Sequence, residues 1–173
     1  MRKTAPIGVF DSGLGGLTVF KALARRMPEE SIVYFGDTAH VPYGSKSPQA
    51  VARYSVEVAR FLAAKGIKLL VVACNTSSAV ALPAIRRAVR VPVVGVIEPG
   101  ASAAMRATRG GRVGIIGIIG TEATVCSDAY PRALESLGSS VKTVSQACPL
   151  FVPLVEEGWW QGKVTEEVAR RYL

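Results

Sequence analysis

The sequence predicts an α/β fold with a parallel sheet flanked by helices. Short β-rich runs alternate with helix-like segments along the chain, which is the pattern of repeated βαβ units. Most of these runs are continuously apolar rather than alternating, as expected for strands that are covered on both faces. The chain has 173 residues, of which 49% are hydrophobic, enough to fill the core of one domain or two small lobes.

Two α/β lobes are expected, the first complete over residues 1–97 and the second incomplete over residues 98–173. Strands are predicted at residues 7–11, 32–37, 69–74, 93–97 and 113–119, with a weaker one at 141–144. Helices are predicted at residues 16–27, 48–65, 77–89, 99–109 and 121–137. The boundary between the lobes is placed near Glu98-Pro99-Gly100, where turn residues follow a strand.

The C-terminal segment has a weaker pattern. Thr165 is predicted to cap a helix whose apolar stripe consists of Val168, Ala169, Tyr172 and Leu173. No glycine or proline ends that helix, and the second lobe holds only about two strands, fewer than a stable sheet usually contains. We therefore expect a chain that is cut short within its second lobe.

The composition indicates a globular protein of the cytoplasm. The apolar run at residues 7–10 stops at Asp11, too short for a signal peptide or a membrane span. Cys74, Cys126 and Cys148 lie in unrelated contexts, which argues against a disulfide framework and favours reduced thiols. With a single histidine and dispersed cysteines, the chain has no zinc-like spacing, so no metal is expected.

The net charge of +8 raises the question of nucleic-acid binding or an anionic substrate. The arginines, however, form short groups near predicted helix ends, at Arg25-Arg26, Arg86-Arg87-Arg90 and Arg106-Arg109-Arg112. Cations there favour the helix dipole and stay solvated. Nucleic-acid binding is therefore not expected.

Cys74 is the most informative residue of the chain. It follows the apolar residues 71–73 and precedes the polar residues 75–78, so it lies where a predicted strand ends. Enzymes of the α/β class keep their chemistry at the carboxyl ends of parallel strands, and a helix N-terminus favours a thiolate. A buried cysteine that packs as a small hydrophobe is the alternative. Packing roles are assigned to Cys126, within a predicted helix, and to Cys148.

A glycine-rich loop at residues 11–16 follows the first predicted strand. The sequence Asp-Ser-Gly-Leu-Gly-Gly allows a tight turn whose backbone N–H groups suit an anion at a helix terminus. Its spacing is neither the dinucleotide fingerprint nor a P-loop. A simple βα turn capped by Asp11 or Ser12 is the alternative.

A second loop, residues 36–44, would emerge at the same edge of the sheet as Asp11 and Cys74. In it, Tyr43 offers a ring and a hydroxyl, and Gly44 permits close backbone approach. An ordinary proline-containing turn is the alternative. His40, the only histidine, is interpreted as a loop residue rather than a ligand.

Together these segments resemble the glutamate racemases of the aspartate/glutamate racemase family. The resemblance rests on residues 11–16, 36–38, 42–44 and 73–76, and on Cys148-Pro149, Val152-Pro153 and Glu156. It implies two pseudo-symmetric α/β lobes with the active site between them. It also implies a cofactor-independent interconversion of L- and D-glutamate that supplies D-glutamate for peptidoglycan.

The resemblance implies roles for individual residues. Cys74 would be the first-lobe acid/base, the one facing D-glutamate, with Asp11 nearby to orient it or help move its proton. The substrate's ammonium and carboxylates would be held by Asp11, Ser12, Tyr43, Gly44, Asn75 and Thr76. Glu156 resembles a second-lobe carboxylate that would support a further Cys/His pair.

The chain departs from the family pattern in three places, one of which is Cys126, where a polar or basic residue is expected. The family's second catalytic cysteine lies in a later Gly-Cys-Thr-His segment, which this sequence does not contain. Because inversion needs a base on one face of the carbon and an acid on the other, little racemisation is expected from these residues alone. Residues 114–120 look like a three-residue duplication, which reverses the faces of a strand unless a bulge absorbs it. No role is therefore carried over to Thr121.

Other functions stay open at this point. One is a non-catalytic amino-acid-binding protein that keeps the anion-binding loops, and another is a related aspartate racemase. A thiol hydrolase would use Cys74 with His40 as its base, which requires the two side chains within hydrogen-bond reach. The sequence does not set the oligomeric state, and a homodimer is left open.

Overall fold

The computed structural model describes residues 4–108, 114–138 and 141–173. The strands are β1 (Ile7–Asp11), β2 (Ile32–Gly36), β3 (Leu69–Val72), β4 (Val93–Gly95), β5 (Ile115–Gly120) and β6 (Lys142–Ala147). The helices are α1 (Leu17–Arg26), α2 (Pro48–Ala64), α3 (Asn75–Val80), α4 (Leu82–Ala88), α5 (Ile97–Thr108), α6 (Glu122–Cys126), α7 (Ala129–Ser136), α8 (Phe151–Glu156) and α9 (Lys163–Tyr172). A 3-10 turn covers Tyr43–Ser45.

The strands form two parallel sheets. The first sheet has the order β2-β1-β3-β4, and the second pairs β5 with β6. Within the first sheet β1 is central, with Asp11 opposite Gly36 of β2 and Phe10 opposite Val72 of β3. The predicted α/β class with a parallel sheet flanked by helices is confirmed. The division into lobes at residues 97 and 98 stays a prediction.

Helices cover both faces of the first sheet, which explains why its strands are apolar throughout. On one face, Phe10, Leu70 and Val72 pack in a buried cluster with residues of α2 and α4, including Leu62 and Ile85. The opposite face buries Ile7, Val9, Val71 and Ala73 against a set of residues that includes Val19 and Leu23 of α1. In a strand that is buried on both faces, neither face contacts water, so apolar and polar residues do not alternate along it.

The second sheet is packed differently. Ile118 is buried in a cluster with Ala101 of α5 and Leu134 of α7. Ile115 and Ile119, which lie on the other face of β5, are each 52% exposed. In the described part of the chain, the expectation of strands covered on both faces therefore holds for β1 and β3 and is wrong for β5, and in β4 Val94 is 43% exposed.

The glycine-rich duplication at residues 114–120 is accommodated within a regular strand. β5 pairs with β6 residue for residue from Ile115 opposite Lys142 to Gly120 opposite Ala147. The alternation of faces therefore continues to the end of β5, and Thr121 follows directly as the N-cap of α6.

Two helices predicted as continuous are each broken in two. The predicted helix at residues 77–89 is interrupted at Ala81, because Pro83, in the first turn of α4, has no N–H to donate to the carbonyl of residue 79. The predicted helix at residues 121–137 is interrupted at Asp128, whose φ of 51° is left-handed and incompatible with a continuing helix.

The predicted lobe boundary is not a turn. β4 ends at Gly95 and α5 begins at Ile97, so Glu98-Pro99-Gly100 lies in the first turn of that helix. Proline is tolerated there because the first helical N–H groups have no intrahelical acceptor.

The C-terminal region differs from the prediction in its helices. Helix α8 was not predicted, and α9 is preceded by Gly162 rather than capped by Thr165. The Thr165 hydroxyl instead donates to the Trp159 carbonyl at 2.6 Å.

The basic residues that the structure describes lie where the sequence placed them. Arg25 and Arg26 are in the last turn of α1, Arg86 and Arg87 in that of α4, and Arg106 in that of α5. Arg109, Arg112 and the predicted strand start at Val113 lie outside the described residues. Across residues 4–108, 114–138 and 141–173, the helices are too short or too polar to cross a lipid bilayer.

Leu70→Ala tests this core arrangement. The Leu70 side chain of β3 is fully buried in the cluster that the sheet forms with α2 and α4. The cavity left by its truncation should therefore lower the free energy of unfolding by about 2 to 5 kcal/mol. Leu137→Ala is the matched control, since Leu137 is 47% exposed and should cost less than about 1 kcal/mol. Urea denaturation of both variants checks this, and equal losses would contradict the described packing.

Candidate active site

A cavity of about 760 Å³ opens where the carboxyl ends of β1 and β3 face the second sheet. Its lining includes every residue for which the resemblance implies a catalytic or substrate-binding role in the first lobe: Asp11, Ser12, Tyr43, Gly44, Cys74, Asn75 and Thr76. Residues of the second half complete the wall, among them Thr121, Thr124, Tyr130, Cys148 and Glu156. The structure therefore brings the predicted site residues together, as parallel strands that end at one edge require.

Cys74 is both buried and part of the cavity wall. It is the N-cap of α3, and its Sγ accepts a hydrogen bond from the Ser77 N–H at 3.4 Å. The thiol also donates to the Ser12 hydroxyl oxygen at 3.4 Å. With 5% of its surface exposed, Cys74 is buried as a packing role requires, yet its sulfur faces polar groups on two sides.

The glycine-rich loop brings Ser12 to this thiol and Asp11 to the same cavity. Asp11 is the last residue of β1 and is buried, and its Oδ2 accepts from the Gly13 N–H at 2.9 Å. A Cβ atom at Gly16 would lie 2.4 Å from Asp11 Cβ, so only glycine lets the helix start this close to the carboxylate. The carboxylate is thus held at the cavity by backbone geometry.

Tyr43 uses its hydroxyl on the protein itself. The side chain is 1% exposed, and its hydroxyl donates to Asp37 Oδ2 at 2.6 Å. Burial, and next the hydrogen bond to Asp37, raise the pKa of Tyr43 above its ordinary value. The hydroxyl that the sequence suggested for substrate is therefore occupied, and other atoms of Tyr43 line the cavity.

His40 lies in a loop, as expected from the sequence. Its Nδ1 is 2.9 Å from both carboxylate oxygens of Asp37, and its ring stacks on Tyr54 at a centroid distance of 4.0 Å. The hydrogen bonds described for the Cys74 sulfur run to Ser12 and Ser77 instead. The geometry thus gives no support to a thiol hydrolase with a Cys74–His40 pair.

Three threonine hydroxyls join the first-sheet loops to the second sheet. Thr76 Oγ1 lies 3.0 Å from Thr121 Oγ1 and 3.5 Å from Thr124 Oγ1, and the last two are 3.0 Å apart. We call Thr76, Thr121 and Thr124 the threonine cluster. Gly44 packs against it so closely that a Cβ at Gly44 would lie 2.3 Å from Thr121 Cγ2.

The sequence reasoning gave no role to Thr121 and missed Thr124. A usable signal was present, because Thr121 stands directly between an apolar strand and a helix, as Cys74 does. The duplication at residues 114–120 obscured it by leaving the phase of β5 undetermined.

The remaining polar groups come from the second half of the chain. The Tyr130 hydroxyl donates to Asn75 Oδ1 at 2.7 Å, and burial raises the pKa of Tyr130. Glu156 Oε1 would be 3.3 Å from a Cβ at Gly13, so this carboxylate lies near the glycine-rich loop. Cavity and loop together therefore hold two thiols, two carboxylates and several hydroxyl and amide groups.

The other cysteines have different surroundings. Cys148 is buried, as its packing role predicts, and burial raises the pKa of its thiol. Cys126 is exposed at the end of α6, so the packing role assigned to it is wrong. In the part of the chain that the structure describes, His, Cys, Asp and Glu side chains form no cluster able to hold a metal ion.

A thiol near the carboxyl end of a central parallel strand, in a cavity lined by residues of both sheets, is the arrangement to compare with known proteins. The chain belongs to the Asp/Glu/hydantoin racemase family, whose model matches residues 7–173. It is 57% identical over 167 residues to a glutamate racemase of Geobacter metallireducens, a match that covers 96% of this chain and 61% of that protein.

Solved structures give the same result. A crystal structure of glutamate racemase from Thermus thermophilus, in complex with β-chloro-D-alanine, has a TM-score of 0.83 at 55% identity, over 98% of this chain and 62% of that one. Glutamate racemase from Francisella tularensis, in complex with D-glutamate, has a TM-score of 0.90 at 39% identity, over 98% of this chain and 62% of that one. The chain therefore spans about three-fifths of the length of these relatives.

The buried tyrosine generates a pH prediction. Because the pKa of Tyr43 is raised in the folded state, the unfolded chain releases this proton first as pH rises above about 10. The stabilising contribution is thus present below pH 10 and lost above it. The free energy of unfolding should fall less steeply between about pH 9.5 and 11 in Tyr43→Phe than in the wild type.

Tyr54→Phe is the control for this experiment, because it leaves the hydrogen bond between Tyr43 and Asp37 in place. It should keep the wild-type slope when the free energy of unfolding is measured against pH. Parallel slopes for wild type and Tyr43→Phe would show that Tyr43 titrates alike in the folded and unfolded chain, contrary to its burial.

Proposed function

We propose that this protein is a glutamate racemase that interconverts L- and D-glutamate without a cofactor. The observation that carries the proposal is the Cys74 thiol, hydrogen-bonded to Ser12 at a cavity edge in a chain of the racemase family. High identity to glutamate racemases, and a neighbour solved with D-glutamate, support glutamate as the substrate. D-Glutamate made in the cytoplasm would then serve peptidoglycan synthesis.

In the proposed reaction Cys74 is the acid/base on the face of D-glutamate. Its thiolate removes the Cα proton and becomes a thiol, and an acid on the opposite face delivers a proton to the carbanion. Return of both groups to their starting protonation completes the cycle with no net redox change. Asp11 would orient Cys74 or help to move its proton.

The substrate would be held by groups of opposite character. The Asp11 carboxylate suits the ammonium, and hydroxyl, amide and backbone donors of Ser12, Asn75, Thr76 and Gly44 suit the carboxylates. For Tyr43 the proposed contact shifts from the hydroxyl to other atoms of the residue, since Asp37 occupies the hydroxyl. Thr121 joins the proposed binding residues through its contact with Thr76.

The acid that would deliver a proton on the opposite face of Cα has no assigned residue among those described. Among the described residues, Cys148 is the second thiol lining the cavity, but it is buried and its Sγ donates to the Gln146 carbonyl at 3.7 Å. We therefore expect proton exchange at one face of Cα to exceed inversion in residues 1–173.

Solvent deuterium incorporation tests the proposal. D-Glutamate incubated with the protein in D₂O should gain deuterium at Cα, because the Cys74 thiol exchanges its proton with solvent between removal and return. Cys74→Ala should lower the rate at least about 100-fold, as expected for loss of a general base. Loss of the Cα proton signal by ¹H NMR measures both rates.

Cys126→Ala is the matched control, since Cys126 is exposed and does not line this cavity. It should exchange at the wild-type rate. Saturable binding of D-glutamate with no exchange in the wild type would favour the non-catalytic binding protein. Equal exchange in wild type and Cys74→Ala would contradict the role given to the thiol.

A further inference from the structure

Tyr34 lies behind the glycine-rich loop rather than in the wall of the cavity. Its hydroxyl donates to the Gly13 carbonyl oxygen at 2.7 Å. We infer that Tyr34 is a positioning residue, whose hydrogen bond to Gly13 holds the Asp11 carboxylate at the cavity and the Ser12 hydroxyl on the Cys74 thiol. The inference rests on the proposed function only where it concerns glutamate. The effect of the Tyr34 hydrogen bond on the loop does not depend on that function.

The strand β2 is shaped to receive the Gly13 carbonyl. A Cβ at Gly36 would lie 2.3 Å from the Gly13 oxygen, so the loop backbone rests directly on this glycine. Tyr34 lies two residues earlier and therefore on the same face of β2. Gly36 has no side chain to displace the Gly13 carbonyl, and the Tyr34 hydroxyl donates a hydrogen bond to it. Together these two residues fix the position of the carbonyl.

Residue Gly13 is connected to Asp11 and to Ser12, the two loop residues that line the cavity. Its N–H donates to Asp11 Oδ2 at 2.9 Å. The preceding residue, Ser12, accepts the hydrogen bond from the Cys74 thiol at 3.4 Å. A shift of residue Gly13 therefore moves the Asp11 carboxylate and the Ser12 hydroxyl at the same time.

Tyr34 is suited to act as a permanent donor. Its ring packs edge-on against Phe20, with centroids 6.2 Å apart. Burial, followed by the negative charges of Asp11, Cys74 and Glu156, raises the pKa of Tyr34 to about 12. The phenol therefore keeps its proton throughout the pH range in which a thiol acts as acid and base.

The rate of Cys74 alkylation by iodoacetamide tests the inference. Each chain carries its own reference, because Cys126 is exposed and does not line the cavity. The ratio of the Cys74 rate to the Cys126 rate is measured by peptide mass spectrometry. Tyr34→Phe keeps the ring and removes the donor. The ratio should rise about fivefold, the equivalent of one net hydrogen bond, because Ser12 no longer stays on the thiol.

Two further variants separate positioning from simple packing. Gly36→Ala keeps the Tyr34 hydroxyl but displaces the Gly13 carbonyl, so it should raise the ratio in the same direction. In a Ser12→Ala background, adding Tyr34→Phe should change the ratio less than about twofold, since residues acting through one contact are not additive. Tyr54→Phe, a tyrosine outside the loop, should leave the ratio unchanged.

An unchanged ratio in Tyr34→Phe, or an equal rise with and without Ser12, would overturn the inference. These measurements need no glutamate, so they are separable from the proposed function. Absence of deuterium exchange together with the expected alkylation ratios would reject the racemase proposal and retain the positioning role of Tyr34. Normal exchange in the wild type with an unchanged ratio would do the reverse.

Discussion

The parallel register of β1 between β2 and β3 is the constraint on which the site depends. Asp11 lies opposite Gly36, and Phe10 lies opposite Val72, so the three strands end at the same edge of the sheet. The residues that follow are Ser12, Asp37 and the Ala73-Cys74 pair. A one-residue slip of any strand would turn its side chains to the other face and remove its contribution.

The second sheet turns this edge into a cleft. The threonine cluster and the contact of Gly44 with Thr121 hold the loops of the first sheet against the start of α6. Among the described buried side chains, every polar nitrogen and oxygen has a hydrogen-bond partner. The site is therefore organised before a ligand arrives, which reduces the ordering cost of binding.

The parts of the fold that the sequence predicted are those governed by local pattern. Continuous apolar runs located β1 at its observed bounds and placed Asp11 and Cys74 at strand ends. Features that depend on tertiary contact were missed: the use of the Tyr43 hydroxyl by Asp37 and the break at Asp128. Neither aspartate carries a sequence signal for its conformation, because a loop carboxylate and a left-handed residue are set by what packs around them.

The central claim is that an amino acid binds where both sheets meet the cavity. Titration of D-glutamate into the ¹⁵N-labelled chain, followed by amide chemical shifts, tests it most directly. The amides of Ser12, Asn75 and Thr121 should shift together and saturate with one Kd, because one ligand contacts loops of both sheets. Shifts that omit these three amides, or that saturate with different Kd values, would contradict a single site at this edge.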